Sequence, residues 1–471
     1  MDKRIDADAT RFKEARHEGA TISVQDVIDR GPMRPAQWRV VGLVASALVL
    51  EGFDIQLAAF AAPAIRSEWA LDPSSLGPAL AAAMMGMVLG GIVGGSLGDR
   101  WGRRPLLVAA IGFFGLMTLL TCLADNLLHL TLLRLIGGLG FGAAYPNATV
   151  LVGEWTPLRL RARAVTLLTM GMPIGGLLGA SLSSYLIPLI GWRYTFAIAG
   201  TLPIAIAAIM HFALPESLIY LSRDKRRDAD LRSRLALFMS EPIPAESRII
   251  STAAEQPVPG QPKETIFARS NARVTTGMWI AFLGNLAVAF LLMNWLPMLL
   301  TMLGADQARA IRGSFYLNLA GLVGLVMAAW LYARLGSKRA LLAMIVPAIL
   351  SVVSVGLVTR LGAASESGAV SLIVLAGACI AYWGLAGMQA GLWSLCLHAY
   401  SVATRATGLG WGNSIGRIAA IGSTVIGGTL LGIEPSPLMF LLFVACALLL
   451  PAAGILIIDR HAPPVTRNHQ P

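Results

Sequence analysis

Glu51 and Asp54 are two carboxylates that lie one helical turn apart inside an apolar stretch of the chain. The flanking segments, about 40–50 and 57–64, contain no other charged residue. An ionised acid deep in a membrane costs at least about 2.5 kcal/mol, and such residues commonly mark ion or proton pathways. The i, i+3 spacing places both side chains on one helix face, where they can meet a common cavity. Because a carboxyl group in low-dielectric surroundings can exchange a proton near neutral pH, the pair is a candidate proton-coupling site.

Arg134 and Arg417 are the two cations that lie well inside apolar stretches. A buried guanidinium needs an anionic partner or contact with water. Arg417 is a candidate ligand for a substrate carboxylate, because its planar fork matches a carboxylate bidentately. Structural pairing is the alternative. Arg134 is a second candidate for the substrate, or it could pair with Glu51 or Asp54 and couple protonation to binding.

Aromatic and amide side chains in the central stretches could complete a site for a flat aromatic ligand. Rings offer a stacking surface, and intramembrane amides could bond a ring hydroxyl. Packing between helices or at the membrane interface is the alternative for each of them. The candidates are Tyr145, Tyr382, Trp295, Trp411, Asn294 and Gln389.

The elements that carry these residues are long apolar runs in a chain of 471 residues that is 56% apolar and 13% charged. A membrane-spanning helix needs about 20 apolar residues, whereas a barrel would show short alternating segments. The sequence therefore predicts an all-α membrane protein with twelve transmembrane helices. The predicted spans are 38–64, 77–98, 104–124, 128–150, 163–190, 193–214, 275–303, 310–334, 339–360, 368–398, 404–432 and 436–458.

The net charge of +11 is distributed unevenly between the two sides of such a protein. Lys and Arg concentrate in the N-terminal arm, the even-numbered loops and the tail, which places both termini in the cytoplasm. This distribution argues for a membrane topology signal and against a nucleic-acid partner. The loop bases are Arg100, Arg103, Arg104, Arg159, Arg161, Arg163, Lys225, Arg226, Arg227, Lys338 and Arg339.

One long polar interruption divides the spans six and six, which suggests an internal duplication. The predicted organisation is a cytoplasmic arm (1–37), a six-helix bundle (38–214), a cytoplasmic linker loop (215–274), a second six-helix bundle (275–458) and a cytoplasmic tail (459–471).

The second span is followed by the motif Gly95-x-Leu-x-Asp99-Arg-x-Gly102-Arg-Arg104. A weaker repeat of this motif follows the eighth span and ends at Lys338. Asp99 could pair with an Arg or lie near a helix N-terminus, forming a breakable cytoplasmic latch between the halves. A basic topology anchor is the alternative. The candidate gate residues are Gly95, Asp99, Arg100, Gly102, Arg103, Arg104, Glu154, Arg163 and Arg405.

This motif resembles the loop signature of the major facilitator superfamily. Glu51-Gly-Phe-Asp54-x-Gln56 is similar to the Asp-Gly-Phe-Asp signature of its aromatic acid:proton symporter family. The same family is suggested by the segments around Arg134, Trp295-Leu-Pro, and Arg405 to Arg417. The resemblance covers about 38–458. Two departures are Glu51, where the family has mostly Asp, and Tyr145, where a smaller or thioether side chain is expected.

The resemblance implies the major facilitator fold, with two pseudo-symmetric six-helix bundles. It also implies proton-coupled import of a small aromatic carboxylate, benzoate- or hydroxybenzoate-like, by alternating access across a bacterial cytoplasmic (inner) membrane. The alternatives are a symporter for another organic anion or a sugar, a proton-driven efflux antiporter, and a transport-inactive receptor.

The sequence shows no metal cluster, phosphate-binding loop or nucleophile triad. We therefore expect neither an enzyme nor a cofactor. The expected partners are the substrate, protons and the lipid bilayer, and the expected state is a monomer.

Overall fold

The computed structural model describes residues 21–222, 228–235, 248–250, 265–360, 367–433 and 438–464. Outside these residues lie the first part of the predicted arm and most of the predicted linker, including the bases Lys225, Arg226 and Arg227. Long helices dominate the described part, because almost every apolar run exceeds the length that crosses a bilayer.

The helices are numbered here in chain order. They are α1 (Val24–Arg30), α2 (Pro35–Trp69), α3 (Pro73–Trp101), α4 (Arg103–Leu120), α5 (Leu127–Trp155), α6 (Leu158–Ala213), α7 (Leu218–Ser222), α8 (Asp228–Leu235), α9 (Ala272–Met302), α10 (Gln307–Arg360), α11 (Ser367–Ala399), α12 (Val402–Ile433) and α13 (Leu438–Ile457). Short 3-10 turns occur at Thr121–Leu123 and Arg269–Asn271.

Ten helices of the described part are long and apolar enough to cross a membrane. Two of them, α6 with 56 residues and α10 with 54, exceed any single crossing. Each is interrupted by a glycine with positive φ: Gly191 (81°) in α6 and Gly336 (74°) in α10. Only glycine adopts this conformation without strain, so the chain reverses there. The predicted breaks at 190–193 and 334–339 match, and the count of twelve spans stays a prediction that these reversals support.

The reversal in α6 is visible in its contacts. Arg193 reaches Glu68 at the end of α2, whereas His211 near the end of α6 reaches Arg104 at the start of α4. Consecutive helices thus alternate between two membrane surfaces. The surface that contains residues 102, 156 and 336 is called the terminal side here, and the one that contains residues 70, 191 and 304 is called the opposite side.

Two packing groups are visible. In the first, α2 packs on α6, and α5 packs on α3 and α4; in the second, α9 packs on α12 and α13, and α10 packs on α11. The groups meet where α3 contacts α12, α6 contacts α10 and α2 contacts α9. The predicted boundaries of the two bundles stay a prediction.

Two apolar clusters stabilise these groups differently. One cluster joins both groups and includes Phe60 of α2 together with Trp295 and Leu299 of α9. The other contains only residues of the first group and of the segments beside it, with Trp155 and Leu221 among them. Apolar packing between the groups therefore involves the opposite-side ends of α2 and α9.

Close contact between α2 and α6 depends on small residues. A Cβ on Gly175 would lie 1.9 Å from the Val49 carbonyl oxygen, and one on Gly52 would lie 2.2 Å from that of Met172. The glycines Gly408, Gly412 and Gly416 similarly face Tyr400, Phe282 and Leu286. Glycine recurs at i, i+4 and i+8 in both segments, and this spacing predicts a smooth face for close helix contact. The structure shows such contacts at Gly171, Gly175, Gly179, Gly408, Gly412 and Gly416.

A small parallel sheet departs from the all-α expectation. Strand β1 (Thr21–Ser23) pairs with β2 (Arg248–Ile250), so the N-terminal arm and the linker are hydrogen-bonded to each other. Asp29 of α1 forms an ion pair with Arg161 of α6. These contacts place the arm against the first group of helices.

Candidate functional site

A cavity of about 400 Å³ lies between the two groups of helices. Its volume falls within the range that small-molecule sites occupy, about 300–1,000 Å³. Seven helices and the first part of α6 contribute to its wall, since lining residues come from α2, α3, α5, α6, α9, α10, α11 and α12. The α6 and α11 residues lie in the terminal-side halves of those segments, so the cavity is displaced toward the terminal side.

Glu51 and Arg417 both lie in the wall of this cavity. The guanidinium lies close enough to interact electrostatically with the Glu51 carboxyl and with the Tyr145 ring hydroxyl. Within the described residues neither Glu51 nor Arg417 has a hydrogen bond or an ion pair within 4 Å. A guanidinium in this setting can accept a carboxylate from a ligand, and an acid beside it can exchange a proton.

Asp54 has different surroundings from Glu51. Arg134 NH1 donates to its Oδ1 at 2.9 Å, Arg134 NH2 lies 2.8 Å from its Oδ2, and Thr118 donates to it at 2.8 Å. Arg134 also donates to the Asp54 backbone carbonyl at 2.9 Å, and its guanidinium lies over the Phe196 ring. Of the alternatives for Arg134, the structure shows pairing with Asp54. Neither residue lines the cavity, so the structure separates the two acids.

Three predicted substrate-binding residues lie elsewhere. Trp295 is fully buried and donates to the Thr424 carbonyl at 2.8 Å, and Asn294 donates to the Thr424 hydroxyl at 3.1 Å. Both therefore join α9 to α12. Trp411 is about half exposed and packs against Trp279 and Phe267. In this conformation these three side chains pack between helices and do not line the cavity, and their role in substrate binding stays a prediction.

Three further predicted substrate-binding residues lie in the cavity wall together with Arg417. Tyr145, Tyr382 and Gln389 line it, and Gln389 accepts a 2.6 Å hydrogen bond from Asn285. Asn285 is nearly fully buried, and its Oδ1 accepts no hydrogen bond from the described residues. The sequence analysis missed this residue, although an Asn inside an apolar span is itself a signal for a polar contact.

The predicted gate residues form a polar cluster on the terminal side. Asp99 pairs with Arg103 at 3.0 Å, and Arg103 reaches Glu154 at 3.3 Å. Glu154 also accepts from the Ser217 hydroxyl, which lies beyond the end of α6. All these partners belong to the first group of helices. In this conformation the bonds fix α3, α5 and the segment after α6 to one another, and the latch between the halves stays a prediction.

Glu216, which follows the end of α6, also belongs to this cluster. Its carboxylate accepts from the backbone N–H of Arg104 at 3.1 Å and lies against Gly102, whose φ is 103°. A side chain at position 102 would be strained by this φ and would also collide with Glu216.

The remaining gate candidates are less engaged. Gly95 faces open space, Arg100 and Arg163 are exposed, and the backbone carbonyl of Arg100 accepts from Tyr220 at 3.4 Å. The Nε of Arg405 is buried without an acceptor in the described residues.

The second group of helices has a matching arrangement around Gly336. The backbone N–H of Ser337 donates to the Ala462 carbonyl at 2.9 Å, and the backbone N–H of Ala462 donates to the Ser337 hydroxyl at 2.8 Å. His461 also bonds the Ser337 hydroxyl, and desolvation lowers the pKa of its imidazole. Arg460 donates to the carbonyl of Ala399. The segment after the last helix of each group therefore covers the glycine turn of that group.

A central cavity that contains a few charged side chains and lies between two groups of membrane helices is the geometry of a secondary transporter. The chain matches the family model described as Major Facilitator Superfamily over residues 44–424. It is 35% identical to the 4-hydroxybenzoate transporter PcaK of Pseudomonas aeruginosa over 417 residues, which covers 88% of this chain and 90% of the relative. The chain therefore belongs to the Major Facilitator Superfamily, and it is a multi-pass membrane transporter and not an enzyme.

Other relatives and a solved structure agree with this membership. The chain is 31% identical to the gallate transporter of Pseudomonas putida, covering 90% of this chain and 92% of the relative. It is 29% identical to the benzoate transport protein of Acinetobacter baylyi, covering 88% and 87%. A crystal structure of a D-xylose-proton symporter superposes with a TM-score of 0.68 at 16% identity, covering 91% of this chain and 98% of that one. At that identity the likeness concerns the fold.

Proposed function

We propose that this protein imports a small aromatic carboxylate together with protons by alternating access across a bacterial inner membrane, with both termini in the cytoplasm. One observation carries the proposal: Arg417 and Glu51 face the same central cavity and have no other described ionic partner. The proposal is supported by relatives that carry the names of 4-hydroxybenzoate, gallate and benzoate transporters.

Proton and substrate are coupled because Glu51 and the substrate carboxylate compete for the guanidinium of Arg417. When the cavity holds no substrate, an ionised Glu51 can serve as the counter-charge of Arg417. A substrate carboxylate bound at Arg417 would repel that charge, so the substrate binds best when Glu51 holds a proton. Substrate and proton therefore enter together, and release of one favours release of the other.

The cavity wall supplies the remaining recognition. Apolar and aromatic side chains such as Phe141, Phe290 and Tyr145 offer surface to an aryl ring. The unpartnered Oδ1 of Asn285 could accept a hydrogen bond from a ring hydroxyl. One proton with one monoanion is electroneutral, whereas a second proton would add about 2.3 kcal/mol per 100 mV of membrane potential.

The experiment is uptake of labelled benzoate and 4-hydroxybenzoate into proteoliposomes under an imposed pH gradient. We expect the wild-type protein to accumulate the acid when the outside is acidic. Glu51→Gln should abolish gradient-driven accumulation while exchange of internal for external substrate continues, because a permanently neutral side chain permits binding without proton release. Asp230→Asn, an exposed acid on α8, serves as the matched control and should behave as wild type.

Three outcomes would contradict the proposal. Accumulation of a sugar or an aliphatic acid without any competition by benzoate would exclude the aromatic substrate. Emptying of the vesicles by an inward proton gradient would indicate an exporter. Full accumulation by Glu51→Gln would exclude Glu51 as the proton site.

A further inference from the structure

A second cleft, of about 580 Å³, lies on the opposite side of the molecule. The end of α2 forms one wall, with Pro63 and Arg66, and Leu71 follows just beyond it. The end of α9 and the first residue of α10 form the other wall, with Met298 and Gln307. The cleft therefore lies where the two groups of helices meet, and it is distinct from the central cavity.

The guanidinium of Arg66 lies in the wall of this cleft, and part of its hydrogen-bond donors have no acceptor among the described residues. Its Nε donates to the Leu71 carbonyl at 3.3 Å, and no described acid lies within 4 Å of its terminal nitrogens. Of the neighbouring acids, Glu68 and Asp306 are paired with Arg193 and Arg309, and Asp72 is exposed and forms no ion pair within 4 Å among the described residues. The terminal nitrogens of Arg66 are thus available to an anion from outside the protein, in the fork geometry that matches a carboxylate.

Gln307 contributes a second donor. The Nε2 atom of this cleft residue is buried and donates to no acceptor among the described residues. A buried amide N–H without an acceptor costs about 1–3 kcal/mol, so an oxygen that enters the cleft gains a bond that the protein leaves open. Pro63, Leu71 and Met298 give the same cleft an apolar surface. Two donors beside an apolar wall fit an anion that carries an apolar body.

The position of the cleft relative to the central cavity suggests its use. The helices α2 and α9 form walls of both sites. Fully buried Phe60 and Trp295 lie between the two sites along these helices. The cleft and the central cavity therefore lie along the same two helices and are separated by buried side chains in this conformation.

We propose that this cleft is a docking site for a monocarboxylate with an aryl group, where the transported acid binds before the groups separate on the opposite side. The inference rests on the proposed function for the identity of the ligand. Arg66 binds the carboxylate, Gln307 donates to its second oxygen, and the apolar wall contacts the ring.

Transport kinetics test the role of Arg66 in the full-length protein. Arg66→Gln should raise the KM for benzoate uptake about tenfold with the maximal rate unchanged, because only capture from the opposite side is weakened. Arg309→Gln, which removes an exposed arginine from the same surface, is the matched control and should change KM less than about twofold. Equal KM values for wild type and Arg66→Gln would overturn the inference.

A binding measurement separates this inference from the proposed function. Ser67→Cys places a thiol in the cleft wall, in a background without the four native cysteines. Benzoate should slow its labelling by a membrane-impermeant maleimide, also when Arg417→Gln has removed the central carboxylate ligand, and acetate should protect much less. Protection that is lost with Arg417→Gln, or that acetate matches, would overturn the docking site. Protection without any transport of aromatic acids would instead contradict only the proposed function.

Discussion

Asp54 and Glu51 show how two acids of one motif can take different roles at the residue scale. Arg134 and Thr118 hold the Asp54 carboxylate with three contacts of 2.8–2.9 Å, whereas Glu51 faces the cavity and Arg417. Hydrogen bonds and a bidentate ion pair stabilise the ionised form of an acid, whereas an unbonded acid in a cavity exchanges its proton more easily. The geometry therefore favours Glu51 as the group that is protonated during transport.

The first prediction concerns Asp54. Asp54→Asn leaves the Arg134 guanidinium buried without its charge partner, and breaking a buried pair in this way costs about 3–5 kcal/mol. We expect a lower apparent melting temperature of the purified protein in detergent and a lower yield in membranes. Glu51→Gln removes no described bond and should leave both unchanged. A stable Asp54→Asn protein beside an unstable Glu51→Gln protein would contradict the two roles.

The sequence predicts these residues better than their partners. Acidic residues and arginines are rare inside apolar spans, so they can be recognised from the sequence alone. Which acid Arg134 contacts depends on the rotation of α2 and α5, and the i, i+3 spacing leaves both possible. The same reason explains why Trp295 and Trp411 were predicted to line the substrate site. The sequence shows that an aromatic side chain lies on a membrane helix, but it does not show which way that side chain points.

At the scale of elements, the contact between α2 and α6 positions Glu51. Gly52 and Gly175 let the two backbones approach so closely that an added Cβ at either position would overlap a carbonyl oxygen of the other helix. Glu51 and Phe53 flank this contact and therefore have fixed directions. Small residues allow such van der Waals contact between helices where the hydrophobic effect contributes little.

The second prediction tests this contact. Gly175→Ala must push α6 away from α2, and overpacking of this kind costs about 1–3 kcal/mol. We expect a lower melting temperature and a reduced maximal transport rate, because Glu51 is displaced relative to Arg417. Gly42→Ala on α2 is the matched control, since a Cβ there meets nothing within 4 Å, and it should be neutral. If both variants behave alike, close contact of α2 and α6 is not what positions Glu51.

The sequence also predicts these elements well, with particular exceptions. The apolar runs and the Gly171, Gly175 and Gly179 spacing identify the spans and one contact face. The small sheet of Thr21–Ser23 and Arg248–Ile250 is missed, because three-residue strands in polar segments have no periodic signal.

At the scale of the whole molecule, the two groups of helices are joined beside the central cavity by a reciprocal amide pair. Gln56 of α2 donates to Asn318 of α10 at 3.2 Å, and Asn318 donates back at 2.9 Å. Farther toward the opposite side, Gly77 and Pro73 of α3 contact Val425 and Gly428 of α12. These contacts close the opposite side in this conformation.

The repeat of the Gly102 turn at Gly336 could be predicted from the sequence, whereas the closed side could not, because one sequence must encode both states at similar free energy.

The third prediction is that Asn318→Ala shifts the balance between these states. Loss of the reciprocal pair removes about 1–2 kcal/mol from the conformation closed on the opposite side, which changes the ratio of the two states about 5- to 30-fold. Spin labels at Leu123→Cys and Asp306→Cys, in a background without the native cysteines, should show a larger population of long distances across the opposite side. Asn147→Ala is the matched control, because Asn147 donates only to Gly94 and Ala143 within the first group among the described bonds. An unchanged distance distribution in Asn318→Ala, or the same change in Asn147→Ala, would show that the amide pair does not set this balance.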